Sequence, residues 1–357
     1  MSRTLLIVAG GTGGHVFPGL AVADEMRRRG WKVVWMGARG GLEARLVPAR
    51  GYAIAWVHAA AGRGRSLAKK LFLPLHLLVG FWQSARAILR IRPDVVLGMG
   101  GYVAFPGGMM ASLLARPLAI HEQNAVAGLA NRLLAAVADR VMVAFPGALP
   151  RAEWTGNPVR AEIAALAPPQ TRYRARNGPL HLLVLGGSQG AQVLNEVLPQ
   201  ALARLPADRR PRVVHQTGER HLAATRAAYA AAGVEAELAS FLDDIASRYA
   251  AADLVVCRAG AMTVAELAAA GLASVLVPFP HAADDHQRAN ARWLAERGAA
   301  LLLPQDECTP ERLAALLGTL ERAELATMAA RARALGRPDA ARAVADGCAA
   351  LVEGGRR

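Results

Sequence analysis

The stretch that decides the fold reads Cys257-Arg258-Ala259-Gly260-Ala261-Met262-Thr263-Val264-Ala265-Glu266-Leu267. Before it, Leu254-Val255-Val256 is an apolar run of the kind that forms a buried parallel strand. After it, Val264 to Ala270 is an Ala-rich helix that Gly271 ends. The turn Arg258-Ala259-Gly260-Ala261 is small enough for a ligand to press against backbone. The first N–H groups of a helix have no intrahelical partner and carry partial positive charge, so this turn favours a diphosphate. Glu266 lies one turn further on, where a carboxylate accepts hydrogen bonds from both hydroxyls of a ribose. A plainer alternative is a capping box, with Thr263 at the N-cap and Glu266 three residues on.

Working outward, apolar strands alternate with amphipathic helices along the whole chain. Residues 5–9, 32–36, 95–98, 118–121 and 140–144 read as strands, and 18–29 as the first helix. Around Thr155-Gly156-Asn157-Pro158-Val159 the pattern breaks, and a polar stretch with Pro168, Pro169, Asn177 and Pro179 follows. A second series then runs through strands at 180–185, 212–216, 238–240, 254–257, 274–277 and 300–302. Its first helices are 191–205 and 223–232. Strands spaced this way by helices imply βαβ units and parallel sheets. The expected fold is therefore α/β, two doubly wound Rossmann-like domains with a cleft between them.

The two series also echo each other. Leu6-Ile7-Val8-Ala9-Gly10-Gly11-Thr12-Gly13-Gly14-His15 opens the first, and Leu183-Val184-Leu185-Gly186-Gly187-Ser188-Gln189-Gly190-Ala191 opens the second. Each is strand, glycine turn, helix, the arrangement in which backbone N–H groups cradle phosphate. Neither is a strict G-x-G-x-x-G with an acidic residue about 20 positions on, and neither carries the Lys-Ser/Thr of a P-loop. Nicotinamide and ATP chemistry are both disfavoured. Paired phosphate loops make better sense if two diphosphate ligands meet at them.

Composition narrows the field further. The 357 residues are 53% hydrophobic and 20% charged, which excludes a disordered chain. Lys and Arg number 42 against 28 Asp and Glu, a formal net charge of +14 that suggests an anionic partner. A nucleic-acid binder would need an aromatic-interleaved basic strand or a reader motif, and neither is present. Cys257, Cys308 and Cys348 have no C-x-x-C spacing, which argues against structural zinc and favours a reducing compartment. The N-terminus enters an apolar strand at once, without the flanks of a signal peptide. No apolar run approaches the roughly 20 residues of a membrane span. Together these point to a cytoplasmic protein.

These motifs, in order, resemble the MurG family of peptidoglycan N-acetylglucosaminyltransferases, which have the two-domain GT-B architecture. The matching residues begin with Gly10-Gly11-Thr12-Gly13-Gly14-His15 and Pro18, Gly100-Gly101-Tyr102, His121-Glu122-Gln123-Asn124 and Phe145-Pro146. They continue with Gly156-Asn157-Pro158-Val159-Arg160, Gly186-Gly187-Ser188-Gln189-Gly190-Ala191 and Phe241-Leu242-Asp243-Asp244. The opening stretch, Pro278-Phe279-Pro280 and Gln287-Arg288-Ala289-Asn290 complete the set, which spans nearly the whole chain. The resemblance implies an N-terminal acceptor and membrane-binding domain over residues 1–156 and a UDP-GlcNAc domain over 157–340. A C-terminal helix over 341–357 is expected to pack back on the first domain.

The implied reaction moves GlcNAc from UDP-GlcNAc to the 4-hydroxyl of MurNAc in undecaprenyl-diphospho-MurNAc-pentapeptide, with inversion and with neither metal nor cofactor. A place in cell-wall biogenesis, and through it in cell shape and division, follows. For the UDP leaving group the resemblance points to the helix start at Ala261, Met262 and Thr263, continuing into Val264 and Ala265, with Ser188 and Arg160 assisting. Leu242 is expected to offer backbone to the uracil, Glu266 to hold the ribose, and Gln287 and Asn124 to reach the donor sugar. Bland alternatives are an exposed helix face for Gln287 and a turn-forming Asn124. Thr12, Gly13 and Gly14 lend N–H groups either to the donor or to the acceptor diphosphate.

His15 follows the first glycine turn directly. An imidazole with an unperturbed pKa of about 6.5 accepts a proton from an attacking hydroxyl near neutral pH. It could equally bind the acceptor diphosphate as a cation or position it. Glu122 is the second candidate for the base, and His121 beside it packs or orients. Asp243-Asp244 and Asp284-Asp285-His286 look like metal sites, but adjacent carboxylates do not share a helix face and neither pair has D-x-D spacing.

The lipid acceptor needs a docking surface. Arg63-Gly64-Arg65-Ser66-Leu67-Ala68-Lys69-Lys70 is basic and runs into an apolar segment over residues 71–82 that ends in Phe81-Trp82. Such a segment suits the interface of an anionic membrane, with Tyr102 to Phe105 extending it. The alternative is a buried helix with a solvated basic start. The expected location is peripheral, on the cytoplasmic face of the inner membrane. Rival readings are another GT-B transferase with a lipid acceptor, such as a diacylglycerol galactosyltransferase, and a UDP-GlcNAc 2-epimerase.

Overall fold

The computed structural model describes residues 2–58, 73–187 and 189–354. Ser188 and the basic stretch Arg63 to Lys70 lie outside the described residues. The chain divides into two compact units, one of residues 1–160 with 338–357 and one of residues 161–337.

Unit 1 is a parallel sheet of β1 (Thr4–Ala9), β2 (Lys32–Gly37), β3 (Ala53–Trp56), β4 (Val95–Gly100), β5 (Leu118–Glu122), β6 (Arg140–Val143) and β7 (Glu153–Trp154). Its strand order is β3-β2-β1-β4-β5-β6-β7. Its helices are α1 (Gly13–Arg28), α2 (Glu43–Ala49), α3 (Leu73–Ile91), α4 (Ala104–Leu113), α5 (Leu129–Leu134) and, from the far end of the chain, α15 (Ala340–Gly354). Leu5, Ile7 and Ala9 point to one core with α1 and α15, while Leu6 and Val8 point to the other. Both faces of the sheet are therefore covered. That is why β1 reads as an unbroken apolar run rather than an alternating one. The terminal helix α15 packs its Val344, Ala345 and Cys348 into the core of unit 1 beside α1.

Unit 2 repeats the plan with β8 (His181–Leu185), β9 (Arg212–Gln216), β10 (Glu237–Ala239), β11 (Leu254–Cys257), β12 (Ala273–Leu276) and β13 (Leu301–Leu302). The order is β10-β9-β8-β11-β12-β13, again parallel throughout. Its helices run α6 (Ala161–Ala164), α7 (Pro169–Arg174), α8 (Gln192–Ala203), α9 (Leu222–Ala231), α10 (Ile245–Ala251), α11 (Ala261–Ala270), α12 (His286–Ala295), α13 (Pro310–Thr319) and α14 (Arg322–Leu335). Buried Arg172 on α7 donates to the carbonyls of Ala270 and Gly271, so a side chain satisfies the orphan groups where α11 ends. Gly271 closes that helix in the left-handed region at φ 63°, as a C-terminal glycine does.

The expected doubly wound α/β fold is therefore present twice. Two details differ from the sequence reading. The edge strands β3 and β7 are additional. Helix α1 begins at Gly13 rather than at Pro18, which sits inside it. Proline marks helix starts only statistically, and here Thr12 is the N-cap.

Two buried histidines, His121 and His215, carry a stability cost that depends on pH. His215 on β9 is wholly buried, edge-on to Tyr229 with ring centroids 5.9 Å apart, and burial pulls its pKa down to about 3. The folded state thus refuses a proton that the unfolded chain accepts at about 6.5. Stability is complete above that pH and is lost progressively as pH falls from about 6.5 towards 3. Thermal melts between pH 7 and pH 5 are expected to show a falling Tm, and His215→Phe to flatten the slope. An equally steep fall in the variant would rule His215 out as a source.

Candidate active site

In a doubly wound sheet ligands gather at the carboxyl ends of the strands where the order reverses. In unit 1 that point lies between β1 and β4, whose following turns are Gly10–Gly14 and Gly100-Gly101. Thr12 caps α1 with extended backbone (φ −106°, ψ 161°) and makes no side-chain cap bond, and half-buried Gly13, Gly14 and His15 occupy the first turn. Two glycines let the turns interlock. A Cβ on Gly101 would lie 2.1 Å from the Gly10 carbonyl oxygen, and one on Gly100 would lie 2.8 Å from His15 Nδ1.

The His15 ring is held from the other side by β5. Its Nδ1 lies 2.9 Å from Gln123 Oε1. The Gln123 amide nitrogen lies 2.9 Å from the His121 carbonyl and 3.0 Å from His121 Nδ1. His121 Nε2 lies 2.9 Å from the Gly156 carbonyl. His121 is fully buried, and burial pulls its pKa down to about 4 against the opposing pull of the Gly156 carbonyl and Glu122. It is neutral at pH 7.

Glu122 points the opposite way from its neighbours, as successive strand residues do. Its Oε1 accepts from Asn124 N (2.9 Å) and Nδ2 (3.3 Å), and its Oε2 from Gly128 N (3.2 Å) and Asn131 Nδ2 (2.9 Å). With 3% exposure and both oxygens engaged, it organises the loop that carries Asn124. Arg160 closes unit 1 with its guanidinium 6.0 Å from the Phe17 ring on α1. It therefore belongs to the same unit as His15 rather than to the unit that carries α11.

Sequence reasoning missed Glu43. It is completely buried, and its carboxylate accepts from Gly11 N (2.9 Å) and Ala38 N (3.0 Å), bracing the first glycine turn from beneath. A Cβ on Gly10 would come within 2.4 Å of it, which is why that turn needs glycine there. The available signal was a lone carboxylate in Gly40-Gly41-Leu42-Glu43, directly after an apolar strand.

In unit 2 the order reverses between β8 and β11. Gly260 is the N-cap of α11 (φ −63°, ψ 145°), with buried Ala261 and half-buried Met262 and Thr263 in the first turn. This removes the capping-box alternative, since Thr263 lies within the helix. Val264 donates its N–H to Gly260 O and buries its side chain, Ala265 is half-buried, and Glu266 is buried with Oε2 3.4 Å from Tyr249 Oη. Asn290 on α12 donates to Ala259 O (3.2 Å), which holds the turn before α11. Gln287 accepts from Phe279 N (3.0 Å) and ties α12 to the loop after β12. Leu242 is buried beside exposed Phe241 after β10. Asp244 pairs with Arg248 (2.9 Å) and Asp285 with Arg288 (3.2 Å), each within its own helical turn.

With this geometry in place, comparison with known proteins identifies the family. The glycosyltransferase family 28 N-terminal domain matches residues 5–143, and the family 28 C-terminal domain matches residues 181–344. The chain belongs to glycosyltransferase family 28. A protein of Aromatoleum aromaticum named UDP-N-acetylglucosamine–N-acetylmuramyl-(pentapeptide) pyrophosphoryl-undecaprenol N-acetylglucosamine transferase is 63% identical over 355 residues, covering 99% of both chains. Among solved structures, MurG of Acinetobacter baumannii is similar with a TM-score of 0.85 and 40% identity, over 98% of this chain and 99% of that one. A solved structure of a UDP-N-acetylglucosamine 2-epimerase reaches a TM-score of 0.65 at 14% identity over 100% of this chain and 98% of that one. That likeness is one of fold alone.

In a family 28 transferase the fit of His15 against the β4 turn is open to test. Gly100→Ala adds a methyl where the His15 ring lies and strains a backbone at φ 94°. Transferase turnover is expected to fall about 10²-fold, the scale of a catalytic group displaced by an ångström. Unaltered turnover in a folded variant would mean that the ring position is irrelevant.

Proposed function

We propose that this chain is an inverting, metal-independent N-acetylglucosaminyltransferase that moves GlcNAc from UDP-GlcNAc to the 4-hydroxyl of MurNAc in undecaprenyl-diphospho-MurNAc-pentapeptide. The family membership supports the reaction class. The observation that carries the mechanism is the imidazole of His15, fixed in the first turn of α1 between the β4 turn and Gln123. In this reading His15 takes the proton of the 4-hydroxyl as that oxygen attacks the anomeric carbon. The bond to the UDP oxygen breaks on the opposite face, and UDP leaves with the electron pair. Glu122 is the weaker base candidate, because both its oxygens already accept hydrogen bonds.

Donor groups are assigned to unit 2. The first turn at Ala261, Met262 and Thr263 faces the diphosphate, where a helix end stabilises developing negative charge without a metal. Glu266 holds the ribose, the backbone at Leu242 meets the uracil, and Gln287 meets the sugar. Thr12, Gly13 and Gly14 take a diphosphate at the start of α1, with Asn124 and Arg160 also in unit 1.

Docking at an anionic membrane is part of the same proposal. Leu75, Leu78, Trp82 and Leu89 on α3 are between 57% and 65% exposed. Their spacing of three, four and seven puts them on one stripe of the helix. The Arg86 guanidinium lies 5.6 Å from the Trp82 ring, and α4 and α5 add exposed Leu113 and Leu129. Among the described residues no helix is long and apolar enough to cross a membrane. A peripheral seat on the cytoplasmic face, supplying peptidoglycan synthesis and so cell shape and division, fits these features.

Labelled GlcNAc should pass from UDP-GlcNAc to a polyprenyl-diphospho-MurNAc-pentapeptide in the presence of EDTA. Rescue only by magnesium or manganese would overturn metal independence. UDP-GlcNAc binding without any transfer would overturn the acceptor. His15→Ala is expected to lower kcat about 10²–10⁴-fold, the range for removing a general base, whereas Glu266→Ala should mainly weaken UDP-GlcNAc binding. For the membrane surface, Leu78→Glu with Trp82→Glu should reduce cosedimentation with anionic phospholipid vesicles roughly tenfold, since a charge there must be taken out of water. Unchanged cosedimentation would move the docking surface elsewhere.

A further inference from the structure

We propose that Gln123 is a positioning residue that locks His15 in its Nδ1–H tautomer, leaving the lone pair on Nε2 to receive the acceptor's proton. The catalytic half of this inference rests on His15 being the base; the tautomer does not.

A glutamine amide and a neutral imidazole are each ambiguous in a hydrogen-bond chain, because either could be turned to exchange donor and acceptor. A main-chain carbonyl is not ambiguous, since it only accepts. Two such carbonyls anchor this chain at different points. The first is His121 O, 2.9 Å from one end of the Gln123 amide. That end must be the nitrogen, as an oxygen there would face another oxygen. The same carbonyl also takes a bond from Asn131 Nδ2 at 3.1 Å, so it is firmly placed as an acceptor. The other end of the amide is then Oε1, which only accepts, and it lies 2.9 Å from His15 Nδ1. The proton of that bond must sit on His15.

The second anchor is Gly156 O, 2.9 Å from His121 Nε2. It requires Nε2 of His121 to carry the proton. In a wholly buried ring that is neutral at pH 7, Nδ1 then bears the lone pair. That lone pair accepts the second amide proton of Gln123 at 3.0 Å. Both anchors orient the amide identically. Turning Gln123 over would oppose its oxygen to both the His121 carbonyl and the bare Nδ1 of His121, losing both of those bonds.

The chemical consequence is direct. Neutral imidazole in water favours the proton on Nε2, which would leave that nitrogen unable to act as a base. Held by Gln123, His15 presents Nε2 unprotonated instead. When it takes the hydroxyl proton, Nδ1–H stays on Gln123 Oε1 and its bond strengthens as the ring becomes cationic. A base held in the wrong tautomer elsewhere loses several orders of magnitude in rate. Gly100 contributes by leaving room, since a Cβ there would lie 2.8 Å from His15 Nδ1 and 2.9 Å from its Cε1.

Nitrogen-15 NMR of protein labelled at histidine reads the tautomer directly in the unaltered chain, with His15→Gln assigning the resonance among the nine histidines. Near pH 8, His15 is expected to show a protonated Nδ1 and a bare Nε2. The reverse pattern would overturn the proposal without any variant of Gln123. In Gln123→Met, of similar size but without an acceptor, the resonances should move towards the Nε2–H form. Its kcat should fall roughly 10- to 100-fold, short of losing the base outright, with KM for UDP-GlcNAc within about twofold. An unmoved tautomer would show that Gln123 is not the lock. A shifted tautomer with unchanged kcat would sink its positioning role. If His15→Ala retains full turnover, the base assignment fails, while the tautomer measurement still stands or falls alone.

Discussion

Strand β1 is hydrogen-bonded to β2 on one side and to β4 on the other, and β8 stands between β9 and β11 in the same way. Because parallel crossovers are right-handed, the chain leaving one strand of such a pair must cover one face of the sheet and the chain leaving the other the opposite face. The turns after β1 and β4 part from each other at that point, and so do those after β8 and β11. The glycine turns and helix starts to which the proposed chemistry is assigned sit in these partings. Each depends on the strand pairing beneath it for its position.

Holding polar groups beneath such a turn is costly unless every one is paired. Unit 1 pairs backbone donors of these turns with carboxylate acceptors. Glu43 takes the N–H groups of Gly11 and Ala38, and Glu122 takes those of Asn124 and Gly128. Neither lies beside a cation in these contacts, so each works by satisfying main-chain donors. Unit 2 uses the opposite sign. The guanidinium of Arg172 takes carbonyls at the end of α11, and Arg176 and Arg322 flank buried Asp253 at the start of β11. Both units therefore use polar side chains to fix the loops around these helix ends.

Much of this was legible in the chain alone. Uninterrupted apolar runs fixed the sheets as parallel and doubly covered, because only strands buried on both faces dispense with alternation. The repeated strand–glycine–helix pattern announced two units, and the ordered motifs pointed to a family that whole-length comparison then established. The edge strands β3 and β7 were not read from the sequence, although the equally short rim strands β10 and β13 were.

Local residue order was enough to give the sheet type, the glycine turns and the family. Which side chains meet follows from the fold. Gln123 lies 108 residues from His15, and Gly156 lies 35 from His121, yet they form one hydrogen-bonded line. Glu43 joins the first turn across 32 residues. No spacing rule links such positions, because their proximity is set by strand order and not by separation along the chain. The proton placement on His15 is a property of that line, fixed by two backbone carbonyls that the folded sheet brings to it.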